Sequence, residues 1–101
     1  MSDRAVHFAI FKWKEGAPLS EIEAMFEEQR QTVVGLVPGI QSFEWGVNKS
    51  PFGKGYSHAL TVIGDDLSAI NAYRNSAPRL KARDLIHQWR EHDISADFGK
   101  E

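Results

Sequence analysis

Residues 4–14 (RAVHFAIFKWK) carry apolar side chains on both alternating sets, Val6, Phe8 and Ile10 on one and Ala5, Ala9, Phe11 and Trp13 with His7 on the other. A strand wetted on one side alternates apolar with polar, so this pattern predicts a strand covered on both faces. Gly16 and Pro18 break it, and Ser20 followed by Glu23 reads as a capping box. The stripe Ile22, Met25, Phe26, Val33 and Val37 then predicts a helix with one buried face. Glu21, Glu27, Glu28 and Arg30 lie on its other side, and Gly35, Pro38 and Gly39 end it. Residues 40–48 read as a second strand with Gln41, Phe43, Trp45 and Val47 on its apolar face. A polar turn-rich loop over 48–55 follows, and then a third strand over 56–63. Asp66 caps a short helix bearing Leu67, Ile70 and Tyr73; Ser76 and Pro78 interrupt it, and Ala82, Leu85, Ile86 and Trp89 mark a further helical stripe. Residues 92–98 predict a last strand.

The order β-α-β-β-α-β predicts a ferredoxin-like α+β fold, an antiparallel sheet with helices on one face. Two helical stretches cover one side of such a sheet, yet the strands are apolar on both. The simplest cover for the other side is a second copy of the chain, which predicts a homodimer.

The length of 101 residues fits a single domain spanning 1–101. The chain contains no cysteine, which excludes disulfides and thiol catalysis. Net charge is −2, with Lys and Arg interleaved among acids, so neither nucleic acid nor an anionic membrane is an expected partner. No apolar run is long enough for a spanning helix and no signal-like segment opens the chain; a cytoplasmic location is expected.

In this order, VHFAIFKWK, LVPGIQSFEWGVNKS, GYSHALTV, AYRNSAPRL and the terminal ADF resemble the stress-responsive A/B barrel domain (Dabb) family over nearly the whole chain. The resemblance implies a dimeric α+β barrel, two ferredoxin-like protomers packed sheet against sheet, each with a pocket between sheet and helices. Family members are functionally mixed. Many are stress-induced proteins without an assigned reaction, and one is a plant cyclase that closes a linear polyketide by aldol condensation without a cofactor. The wider superfamily adds muconolactone isomerases and cofactor-free monooxygenases. Residue by residue, the cyclase's pocket positions match His7, His58, Tyr73 and Asp97. Its catalytic histidine falls on Arg79, the first histidine of the same segment on Ser76, and the partnering tyrosine on Arg30, so that cyclase's own reaction is not expected here.

His7 is the candidate general acid or base, since imidazole titrates near neutrality; the alternative is a buried histidine bonded to Asp97 or to a backbone carbonyl. Arg79, in the first turn of a predicted helix, is the candidate clamp for a carboxylate or enolate oxygen, or else a solvated surface arginine. Tyr73 either offers its phenol to the pocket or simply ends the Leu67–Ile70–Tyr73 stripe. These three form the candidate catalytic set. His58, Asp97, Phe11 and Phe26 form the candidate substrate-binding set; His58 also fits a core or interface histidine, Asp97 an orienting carboxylate, and the aromatics a core. His87 and His92 read as surface groups. No metal-ligand spacing links His7, His58 and Asp97, and Gly53-Lys54-Gly55 lacks the strand-to-helix context of a phosphate loop, so neither metal nor cofactor is expected. The resulting expectation is a cofactor-free cyclase, isomerase or lyase acting on a polyketide-like or aromatic small molecule. The alternative is a non-catalytic, stress-related structural or ligand-binding homodimer.

Overall fold

A computed structural model describes residues 3–101. The chain runs β1 (Ala5–Trp13), α1 (Leu19–Leu36), β2 (Ile40–Val47), β3 (His58–Gly64), α2 (Leu67–Arg74), α3 (Ala77–Trp89) and β4 (Arg90–Gly99). The strands form one antiparallel sheet in the order β2-β3-β1-β4. This is the expected ferredoxin-like α+β plan, with its second helical region divided in two. Pro78 has no N–H to give the Arg74 carbonyl, so the ladder of α2 stops. Ser76 closes the break by donating its backbone N–H and its hydroxyl to the Tyr73 carbonyl, at 3.0 and 2.6 Å.

The helices bury one sheet face. Ala5, Ala9, Phe11, Phe43, Leu60 and Val62 point from the strands into a core completed by Ile22, Phe26 and Val33 of α1, Ile70 and Tyr73 of α2, and Ala82 and Ile86 of α3. The turn into β2 depends on Gly39. Its φ is +87°, and a Cβ there would lie 2.8 Å from the Ala69 Cβ, so a side chain would both strain the backbone and push α2 away.

Two local readings of the sequence fail. Helix α1 starts at Leu19 with Pro18 as its cap and no side-chain cap bond, so Ser20 lies inside the helix and forms no capping box with Glu23. The Glu23 carboxylate reaches across to His58 instead. In β2 the register shifts between Ile40 and Ser42, which turns Gln41 out of the apolar face to donate to Asp65 at 2.8 Å. The cap on α2 is as the sequence indicates: Asp66 accepts the Ala69 N–H at 2.9 Å.

Cross-strand pairs Val6–Phe98, Phe8–Ala96 and Ile10–Ile94 share the opposite sheet face, joined by Ala59 and Ile63 of β3. Among the described residues no helix lies over them, and the 48–56 loop borders them across an open cavity. Phe98 is 60% exposed and Ile94 47%.

Candidate functional site

Strand β1 has small residues at Ala5 and Ala9 on either side of His7, so the imidazole faces α2 and α3 with open space around it. A cavity of about 120 Å³ lies there between sheet and helices. His7, Ala9, Phe11 and Leu60 line it from the sheet, Gln29 from α1, Tyr73 and Arg74 from α2, Arg79 and Ile86 from α3, and Asp93 and Ser95 from β4. The β1–β4 register sets Asp97 directly opposite His7. Its carboxylate accepts from His7 Nδ1 at 2.6 Å and from the Arg74 guanidinium. Burial would push the Asp97 carboxyl up, but the bonds from His7 and Arg74 and their charges outweigh it and hold the group below the usual carboxylate range. An ionised carboxylate only accepts, so Nδ1 carries the proton it donates. His7 Nε2, on the far side of the ring, has no hydrogen-bond partner among the described residues and is the nitrogen open to a ligand.

Tyr73 is 2% exposed, with its ring centroid 6.0 Å from that of His7. Burial is the main cause that pushes its hydroxyl up to about 12, only partly opposed by the nearby charges of Arg79 and Arg74. The phenol therefore stays neutral and donates to Gln29 Oε1 at 3.1 Å. Arg79 is half-buried at the cavity wall and has no hydrogen-bond or ion-pair partner among the described residues. An unpaired guanidinium beside an oriented imidazole is a site for an anionic oxygen.

The structure thus brings together His7, Arg79, Tyr73, Phe11 and, behind the imidazole, Asp97. It does not place His58 or Phe26 on this cavity. His58 is 2% exposed in an aromatic cluster with Trp13, Phe26 and Trp45. The Trp13 indole N–H can only donate and reaches His58 Nδ1 at 3.0 Å, so Nε2 carries the proton and donates to Glu23 at 2.8 Å. With both nitrogens committed, His58 reads as a core histidine. Phe26 is fully buried in the same cluster. Arg30 also lies off the cavity and pairs with Glu27 at 2.5 Å. That carboxylate falls to about 2 under hydrogen bonds from Arg30, Trp45 and Gln31. His87 and His92 are exposed, His92 against the Tyr56 hydroxyl.

Sequence reasoning missed Gln29 and Arg74. For Gln29 the signal was present: it sits three residues after Phe26 and four before Val33, a polar break in an apolar stripe. For Arg74 there was none, since its role depends on the β1–β4 register. Among the described residues no three His, Asp or Glu side chains converge as metal ligands.

The sequence matches the family model of the Stress responsive A/B Barrel Domain (Dabb) over residues 5–99. No curated protein matches it. Its fold is shared by a dimeric ferredoxin-like protein of unknown function from Bacteroides fragilis, at 21% identity and a TM-score of 0.79 over 96% of each chain. A Dabb family protein with a ferredoxin-like fold from Mesorhizobium loti is similar at 19% identity and a TM-score of 0.71 over 97% of each chain. A hydroxynitrile lyase from Passiflora edulis is similar at 14% identity and a TM-score of 0.78, over 94% of this chain and 91% of that one.

Proposed function

The chain belongs to the stress-responsive A/B barrel domain family, and on that premise we propose that it is a homodimeric, cofactor-free acid–base catalyst of the isomerase, lyase or cyclase class acting on a small oxygenated acid. The observation that carries this reading is the His7–Asp97 pair, which leaves one imidazole nitrogen free in a cavity walled by the unpaired Arg79. Nε2 takes a proton from a hydroxyl or from a carbon next to a carbonyl; negative charge develops on oxygen, and Arg79 holds it. Returning the proton to another carbon isomerises the substrate. Expelling a leaving group or closing a ring onto a second carbonyl from the same intermediate gives lyase or cyclase chemistry. A hydroxynitrile lyase shares the fold, which supports a lyase among the three classes.

Size narrows the ligand. At about 120 Å³ the cavity holds roughly four water volumes, well below the ~300 Å³ at which drug-sized ligand pockets begin. The polar wall selects a short acid head such as a 2-oxo or 3-oxo acid. A polyketide-sized or aromatic substrate needs further room.

Thermal denaturation with pyruvate and acetoacetate tests the proposal. Ligand at about a hundred times its dissociation constant adds roughly 2.7 kcal/mol, which raises Tm by about 10 °C or more in a domain this size. The shift is expected in the wild type and lost in His7→Ala/Arg79→Ala. Equal shifts in both proteins would show that the ligand binds elsewhere. A ligand-binding dimer without turnover is the second reading, favoured by the small volume, which leaves little room for two reacting groups. Under it the shift persists in the wild type while substrate and product concentrations never change.

The dimer has its own test. Among the described residues no helix covers the apolar outer face of Val6, Phe8, Ile10, Ile94 and Phe98; the 48–56 loop only borders it, across an open cavity of about 450 Å³, and a second copy is the cover we propose. Phe8→Glu places a charge at its centre without touching the core, and is expected to halve the mass seen by sedimentation at micromolar concentration. A wild type that already sediments as a monomer would remove the proposal.

A further inference from the structure

On the side of Gln29 away from His7, helices α1 and α3 leave a groove of about 340 Å³, walled by Ala24, Met25, Pro78, Ala82 and Leu85 and bordered by the exposed pair Lys81–Glu28, 2.9 Å apart. Its surface is mostly apolar, the opposite of the His7 cavity. One residue lines both spaces, and that residue is Gln29. Gln29 is thus a rotatable side chain placed where the two spaces approach each other.

That side chain is poorly satisfied for its depth. Gln29 is 3% exposed. Its Oε1 accepts from Tyr73 at 3.1 Å, but the acceptor near its Nε2 is the Met25 thioether at 3.7 Å. Sulfur is a weak acceptor, so a buried amide N–H is left with most of its bonding capacity unused. An oxygen entering from either side offers it a better partner.

We infer that the cavity and the groove form one binding channel gated by Gln29, and that the ligand is an acid with an unbranched apolar tail. The polar head sits at His7 and Arg79, the Gln29 amide turns to donate to it, and the tail lies between α1 and α3. This rests on the acid-binding reading above and adds the ligand's second half. It also resolves the size problem, because the groove alone reaches the range of ordinary ligand pockets.

Titration calorimetry with propanoate, pentanoate and octanoate reads the channel directly. The head is constant through the series, so a tail in the groove tightens binding two- to fourfold per added methylene. Ala24 is exposed on the groove wall, and Ala24→Trp fills the groove without disturbing the core. In that variant propanoate is expected to bind as in the wild type, while the gain with chain length disappears. If octanoate binds the wild type no tighter than propanoate, the groove is no tail site, yet the acid reading stands. A chain-length gain that survives Ala24→Trp also overturns the inference, since the tail then lies elsewhere. If no acid of any length binds, the acid reading itself fails and takes the channel with it.

Discussion

Phe26→Ala is expected to destabilise the protein by about 3–5 kcal/mol, a large part of the roughly 5–15 kcal/mol that holds a domain together. Phe26 is fully buried, and its ring lies 5.4 Å from Phe11, 6.2 Å from Trp13, 5.9 Å from Trp45 and 6.2 Å from His58. Truncation removes one member of each of these contacts together. The surrounding rings are held by hydrogen bonds, Trp13 to His58 and Trp45 to Glu27, so they cannot slide in to close the void, and the full cavity cost remains. Urea unfolding measures it. Leu36→Ala is the control: that side chain is 65% exposed at the end of α1, on the helix side of the sheet and away from the proposed dimer face, and its loss is expected to stay within about 0.5 kcal/mol. A fall of under about 1 kcal/mol for Phe26→Ala would mean that the cluster repacks freely and is no hub. The same variant separates core from binding wall. Phe26 does not line the His7 cavity, so a folded Phe26→Leu protein is expected to bind acids with unchanged affinity.

That contrast shows how far the sequence could lead. Strand and helix order is legible because apolar periodicity is a local property: Phe11, Phe26, Ile70 and Ile86 all fall on the stripes that the pattern predicts. Periodicity places a residue on a face but does not say which part of that face meets a void. Phe11 reaches the cavity from β1 while Phe26 packs against it from α1, and only the crossing of helix and sheet decides between them. His7 and His58 pose the same problem. Both sit on helix-facing positions of neighbouring central strands, and paired positions differ by several residues along the ladder, His7 opposite Val62 and His58 opposite Phe11. One imidazole therefore lies near α2 and α3 and the other under α1, where Glu23 and Trp13 consume its nitrogens. The false capping box has the same root. Ser20 and Glu23 have the right spacing, but a carboxylate within reach of a buried imidazole gains a partner that the helix end cannot match.

Arg74 and Asp97 complete the argument, because the chemistry assigned to His7 depends on a proton whose position they fix. Replacing Asp97 with Asn is expected to reduce acid–base turnover roughly 10²- to 10⁴-fold while leaving the fold intact. The guanidinium of Arg74 can only donate, so the amide oxygen of the asparagine turns to it and the amide N–H₂ faces His7. Nδ1 must then accept, the ring proton moves to Nε2, and the nitrogen facing the cavity loses the lone pair it needs as a base. Nitrogen NMR of labelled histidine reads this change without any substrate: Nε2 is unprotonated in the neutral wild type and protonated in Asp97→Asn. A variant whose Nε2 stays unprotonated would sink the positioning role. Stability against pH supplies the second readout. The Asp97 carboxyl lies below its usual value in the folded protein, so its contribution is fully present above about pH 4, the unfolded value, and is lost as pH falls through the lower folded value. The Tm difference between wild type and Asp97→Asn is therefore largest near neutrality and shrinks as the solution is acidified below that point. A difference that stayed constant across this range would mean that the carboxylate is not held ionised by His7 and Arg74, and the orientation of the imidazole would need another cause.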